Sequence, residues 1–191
     1  MWTRLKTWMQ RRHSSPRETD TTNMDDQADI RVLLVCMGNI CRSPMAEGVL
    51  RARLSARPGP RRIAVDSAGT HGYHQDAPPD SRAQAAAERR GYSIADLRAR
   101  RVVIEDFDRF DLILAMDSDN LAVLEDMAPP DSHAQLQLFL DYSPERPGAD
   151  VPDPYYGGAT GFERVLDLIE ETIDRLVDEL HCMELPSRPV D

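Results

Sequence analysis

The chain has 191 residues, of which 41% are hydrophobic and 29% charged, and a formal net charge of −10. That length suits one domain with tails and a fully layered core. The acidity argues against a general nucleic-acid binder, which neutralises phosphates with clustered Lys and Arg, and no run reaches the ~18 apolar residues of a membrane span.

Residues 1–28 differ from the rest. MWTRLKTWMQRRH is basic and places Trp2, Leu5, Trp8 and Met9 roughly on one helical face. It lacks the apolar core of a secretory signal. Residues 1–13 admit two readings: a disordered leader, or a short interfacial helix that touches a membrane or a partner. Residues 14–28 hold too few apolar groups to fold. The expected organisation is therefore a leader over 1–28, a domain over 29–182 and a tail over 183–191.

In the body, short apolar runs alternate with amphipathic stretches. Ile30–Val35 reads as a buried strand. Ser43 and Pro44 read as the cap and first residue of a helix carrying Met45, Val49, Leu50 and Leu54. Ile63–Val65 predicts a second strand. Asp80 predicts the cap of a helix ending near Gly91. Leu112–Ala115 predicts a third strand, Ser118–Met127 a short helix and Leu136–Leu138 a fourth strand. Phe162, Val165, Leu166, Ile169, Ile173, Leu176, Val177 and Leu180 hold the 3.6-residue period of a long final helix. This order predicts an α/β protein: three layers, α/β/α, around a four-stranded parallel sheet covered on both faces. Ligands of such sheets bind beyond the carboxyl ends of the strands, where the first strand delivers Cys36.

The three cysteines, Cys36, Cys41 and Cys182, do not suggest a disulfide framework. A reducing, cytoplasmic compartment suits them. Cys36-Met-Gly-Asn-Ile-Cys-Arg42 then reads as a loop running into a helix N-terminus, where free amides and the dipole favour anions. Gly38 and Asn39 are the residues best able to take positive φ and curl the loop into an amide nest. Met37, Gly38, Asn39, Ile40 and Cys41 would cradle a tetrahedral oxyanion, and the Arg42 fork would hold two of its oxygens. The same surroundings favour thiolate over thiol at Cys36, and the Ser43 hydroxyl adds a hydrogen bond to the sulfur. A nucleophile prepared against a bound phosphate is the pattern of covalent catalysis. The nucleotide-binding loop Gly-x4-Gly-Lys-[Ser/Thr] is absent, so nucleotide hydrolysis has no support. Expelling an alkoxide or phenoxide needs a proton donor, and Asp153 in VPDPYYGG, stiffened by Pro152 and Pro154, is the candidate general acid and base. No His-rich cluster accompanies it, so the expected chemistry runs without metal or other cofactor.

VCMGNICRSP, SAGTHGYH, DFDRFDLILAMD and DPYYGG, in this order, resemble the low-molecular-weight protein tyrosine phosphatases of the bacterial type, over roughly Arg31 to Leu180. The resemblance implies the Rossmann-like phosphotyrosine phosphatase I fold and hydrolysis of phosphotyrosine through a phosphocysteine. It implies Cys36 as nucleophile, Arg42 as phosphate clamp, Ser43 as thiolate stabiliser and Asp153 as general acid. Asn39 would shape the loop through a hydrogen bond towards Ser67, and Tyr73, Tyr155 and Tyr156 would wall the cleft, where a phenyl ring stacks well. The implied partners are phosphotyrosine proteins, a tyrosine kinase among them, with inorganic phosphate as product and no nucleic acid. A reversible Cys36–Cys41 disulfide that protects the nucleophile is a further implication; simple filling of the loop by Cys41 is the alternative.

The chain departs from the pattern at Leu97-Arg-Ala-Arg100, where many members read His-x-Ala-Arg and the histidine supports the Asn39–Ser67 pair. Leucine cannot hydrogen-bond, so the expectation is an altered rate with activity retained. A Leu97→His variant should change turnover or melting temperature; if neither moves, the idea fails. Two other functions compete. Arsenate reduction on the same fold relays oxidation to two further cysteines, but Gln75 to Leu112 holds none. A catalytically silent phosphopeptide-binding module is opposed by intact Cys36, Arg42 and Asp153. Asp117 is expected to make a structural hydrogen bond, and Arg98–Arg101 to form a solvated face.

Overall fold

The computed structural model describes residues 27–183. The expected leader and tail lie almost wholly outside those residues. Four parallel strands form one sheet: β1 (Ile30–Cys36), β2 (Ile63–Gly69), β3 (Leu112–Ala115) and β4 (Gln135–Leu138), in the spatial order β2-β1-β3-β4. Among the described residues five α-helices accompany them, α1 (Arg42–Ala56), α2 (Ser81–Arg89), α3 (Asp106–Arg109), α4 (Ser118–Met127) and α5 (Gly158–Cys182), with a 3-10 turn at Phe139–Tyr142.

The sheet is apolar on both faces, which is why β1 reads as an unbroken run. Ile30, Val32, Leu34 and Cys36 point into the larger core with Met45 and Val49 of α1, Ala83 of α2 and the apolar stripe of α5. Leu33 and Val35 point the other way, into a second core with Phe107 of α3, Phe110 and Leu124 of α4. All eight residues of the expected α5 stripe are buried. The α/β/α layering follows from these two cores.

Two boundaries shift by more than one residue and one extra turn appears, each for a local reason. β2 runs on to Gly69 because Asp66, Ser67, Ala68 and Gly69 keep the parallel register against Leu33, Leu34, Val35 and Cys36; pairing extends the strand past its apolar part. α1 starts at Arg42, with no side-chain cap. Ser43 does not cap it, because its hydroxyl is used by Asn39 and faces Cys36. α3 is a single extra turn held by the Asp106 carboxylate, which accepts the Val103 N–H at 2.9 Å. The α2 cap is as expected: the Asp80 side chain accepts the Arg82 N–H, and the chain leaves the helix through Gly91 at φ +83°. Asp117 caps α4 by accepting the Asn120 N–H at 2.7 Å.

Candidate active site

The site forms at the carboxyl end of β1, where the strand hands Cys36 to the loop 37–41. Two backbone bonds seat this loop on the end of β2: Thr70 N–H donates to Cys36 O and His71 N–H to Met37 O, both at 2.9 Å. The loop passes so close to Gly69 that a Cβ there would lie 2.8 Å from Met37 O. Any larger residue would push the loop off the sheet.

Asn39 takes the left-handed conformation at φ +54°, while Gly38 does not have positive φ. That backbone is unusual for a side-chain-bearing residue and least costly for Asn, and the Asn39 amide holds it. Its Nδ2 donates to Ser67 Oγ at 2.8 Å and to Ser43 Oγ at 3.0 Å, and its Oδ1 accepts the Arg100 N–H at 2.9 Å. Ser43 Oγ lies 3.1 Å from Cys36 Sγ. Both Asn39 protons are spent, so Ser43 accepts from Asn39 and keeps its own proton for the sulfur or for Ala68 O at 3.3 Å. Leu97, at the position of the family histidine, is half-buried against the larger core. The Asn39–Ser67 bond is present although position 97 holds no histidine.

Arg42 is 3% exposed. Its Nη1 donates to Asp117 Oδ2 at 2.5 Å and to Val151 O at 3.1 Å, and its Nη2 lies 3.8 Å from Asp153 Oδ2. Burial works against the guanidinium charge, but the Cys36, Asp117 and Asp153 charges outweigh it and hold the Arg42 pKa above its ordinary value. Asp117 thus ties Arg42 to the first turn of α4. Asp153 is about half-exposed; its Oδ1 accepts the Tyr155 N–H at 3.0 Å, a turn bond that leaves Oδ2 facing Arg42.

Cys36, Met37, Gly38, Ile40, Cys41 and Arg42 share one cavity of about 350 Å³ with His74, Asp153, Tyr155 and Tyr156. Asp153 is the one carboxylate among these lining residues. The two tyrosines meet edge to face, with ring centres 5.0 Å apart. Tyr73 is outside this group: it is 80% exposed and stacks on His71 at 5.3 Å. From the 70–74 segment it is His74, not Tyr73, that reaches the cavity. Cys41 lines the cavity as a thiol, since burial, reinforced by Asp80, Cys36 and Asp153, pushes its pKa up to about 12.

Three contributors were not legible in the sequence. Arg82 donates to Tyr155 O at 2.9 Å and lies over the Tyr155 ring at 5.1 Å, tying the Asp153 loop to α2. Arg100 is not part of a solvated face: its guanidinium pairs with Asp66 and Asp106, both at 2.9 Å. Glu47, on α1, is 1% exposed and accepts the Ser67 hydroxyl at 2.5 Å. No local pattern names the partners of these residues, since each partner is 20 or more positions away or on another element.

Residues 31–184 match the model of the family described as "Low molecular weight phosphotyrosine protein phosphatase". The chain belongs to this family. It is similar to the low molecular weight protein-tyrosine-phosphatase YfkJ of Bacillus subtilis, 42% identical over 148 residues, covering 78% of this chain and 94% of that one. The human low molecular weight phosphotyrosine protein phosphatase is 40% identical over 144 residues, covering 74% of this chain and 90% of the other. Among solved structures, a protein tyrosine phosphatase from Entamoeba histolytica superposes with a TM-score of 0.75 at 40% identity, covering 79% of this chain and 96% of that one. The phosphatase fold of those neighbours is the four-stranded α/β/α arrangement described above.

Proposed function

We propose that the chain hydrolyses phosphotyrosine in proteins, with Cys36 as nucleophile, Arg42 as phosphate clamp and Asp153 as general acid and base. The observation that carries this reading is the shared cavity, in which Arg42 Nη2 stands 3.8 Å from Asp153 Oδ2, together with the buried Ser43 Oγ 3.1 Å from Cys36 Sγ. The Cys36 thiolate attacks phosphorus, the bond from phosphorus to the phenolic oxygen breaks, and Asp153 delivers its proton to that oxygen. Asp153, now a carboxylate, takes a proton from water; the water oxygen attacks phosphorus, the P–S bond breaks and inorganic phosphate leaves. Arg42 and the amides of residues 37–42 carry the charge that builds on the equatorial oxygens. Asp117 keeps Arg42 aimed without entering the reaction.

The cavity composition supports an aryl substrate. Met37, Ile40, Tyr155 and Tyr156 offer apolar and aromatic surface to a ring, which a short serine or threonine phosphate would leave uncovered. The expected result is phosphate release from a phosphotyrosine peptide at least about 10²-fold faster than from the matching phosphoserine peptide, a gap of about 3 kcal/mol in transition-state binding. Equal rates on the two peptides would sink the assignment. Its partners are phosphotyrosine proteins, with a tyrosine kinase as one candidate class. Free thiols at Cys36, Cys41 and Cys182 support a reducing, cytoplasmic setting. Among the described residues no helix is long and apolar enough to cross a membrane. Cys36 and Cys41 border one cavity, which supports reversible pairing of the two under oxidant.

A further inference from the structure

The reaction above makes no use of Glu47, a carboxylate buried to 1% exposure on the helix that follows the phosphate loop. Its two oxygens have different surroundings. Oε2 accepts the Ser67 hydroxyl at 2.5 Å. Oε1 lies 2.6 Å from Arg51 Nη2 but off the line of a hydrogen bond, and that nitrogen donates instead to Val65 O at 2.9 Å. From Ser67 the contacts continue without a gap: Asn39 Nδ2 to Ser67 Oγ, Asn39 Nδ2 to Ser43 Oγ, and Ser43 Oγ to Cys36 Sγ.

We infer that Glu47 is a positioning residue for the nucleophile: as a carboxylate it accepts the Ser67 proton, the one donor direction open to Ser67, and so holds Asn39 where it directs Ser43 towards Cys36. This rests on the reading of Cys36 as the reactive group.

The direction follows from counting donors and acceptors. Asn39 cannot turn its amide over, because the Arg100 N–H needs Oδ1 as acceptor. Asn39 therefore donates to both serines. Ser67 accepts from Asn39, so its own proton must find an acceptor, and Glu47 Oε2 is the one within reach. A proton added to Glu47 breaks this order. On Oε1 it would point at the Arg51 cation, with nothing to accept it. On Oε2 it would face Ser67 and leave the Ser67 proton with no acceptor. The Arg51 cation disfavours the first, which would keep Oε2 as an acceptor; in the second Ser67 must rotate, and Asn39 loses a partner that holds it at positive φ.

The groups that face Glu47 are Arg51 on its own helix, Asp66 and Ser67 on β2, and Arg100 from the segment before α3. Burial pushes the Glu47 pKa up to about 7, against the lowering effects of Arg51 and of the Ser67 hydrogen bond; Asp66 raises it further and Arg100 lowers it. The switch between the two arrangements thus lies near neutral pH. The sign for stability is fixed by linkage. A carboxyl raised in the folded chain favours its protonated form there. Its contribution to stability is full below the unfolded value near 4.5 and is lost as the pH rises through about 7. The active arrangement and the stable one lie on opposite sides of that transition.

The test is the rate of Cys36 alkylation by iodoacetate, followed by mass spectrometry from about pH 5.5 to about pH 8.5. It is run on the full chain, on Glu47→Gln and on Ser67→Ala, with para-nitrophenyl phosphate kcat/KM measured in parallel. The wild-type profile is expected to contain a rise near neutrality that Glu47→Gln and Ser67→Ala both lack. The part lost should be about three- to tenfold, the worth of one hydrogen bond. The double variant should lose no more than either single one. The melting temperature of wild type should fall across the same interval, and that of Glu47→Gln should not. Wild-type and Glu47→Gln alkylation profiles of the same shape, offset by a constant factor or not at all, would overturn the inference. Should Glu47→Gln fail to fold, Ser67→Ala against wild type decides the same question. Alkylation does not depend on turnover, so a chain with the predicted profile but no phosphatase activity would refute the proposed function and leave this inference standing.

Discussion

Cys36→Ser is expected to reduce para-nitrophenyl phosphate turnover to background, a loss on the order of 10⁴-fold or more. The serine hydroxyl is about as large as the thiol, and the site is 3% exposed, so the fold and phosphate binding should persist. What disappears is an anionic nucleophile, because a serine hydroxyl has no base at this position to remove its proton. Cys41→Ser is the matched control: burial and three nearby anionic groups hold Cys41 protonated, and most of the turnover should remain. Turnover should also survive EDTA. The measurement is initial rate at saturating substrate, with circular dichroism to confirm folding. Cys36→Ser activity within tenfold of wild type would falsify the assignment of the nucleophile. Arsenate-dependent thioredoxin oxidation without any phosphatase activity would move the chain to arsenate reduction instead.

Asp153→Ala is expected to lower kcat by about 10²–10⁴-fold, the usual worth of general acid and base help. The size of the loss in kcat/KM, which reports the step that expels the leaving group, should depend on that group. Para-nitrophenolate departs readily without a proton, so it should show the small end of the range. Phenyl phosphate and phosphotyrosine expel a far more basic oxygen and should show the large end. Substrate binding should change little, because Arg42 and the loop amides remain. Stability should stay within about 0.5 kcal/mol, since Asp153 is about half-exposed and its Tyr155 N–H bond is a surface turn bond. A loss in kcat/KM of equal size for all leaving groups would show that Asp153 places the substrate and that another group carries the proton.

The placements of Cys36, Arg42 and Ser43 were legible because they sit within eight residues, and local rules govern them. A strand ends, a loop turns, and a helix N-terminus faces whatever follows. The strand β1 was legible from its apolar run and α5 from its 3.6-residue period, since each reports burial directly. The end of β2 was not: Ser67 and Gly69 have no apolar signal, and only the parallel register against β1 makes them strand. Tyr73 differs in another way. As an aromatic beside the loop it suits a cleft wall, yet its backbone turns it to solvent and presents His74 instead. Arg100 looked like one charge in a solvated run, and only the folded chain shows Asp66 and Asp106 waiting for it.

The sequence by itself determined the layered α/β class and the loop that carries the thiol and the arginine, because periodicity and turn chemistry act over a few residues. It also named Asp153, by the proline-stiffened motif around it. Only the tertiary structure decided what holds these groups in register. Asp117 grips Arg42 from 75 positions away, Arg82 ties down the Asp153 loop from 73, and Glu47 closes the Ser67–Asn39–Ser43 chain from a helix face that reads as ordinary. Hydrogen bonds and ion pairs work at about 3 Å, and which residues come within that distance is set by how the layers pack, which no local pattern records.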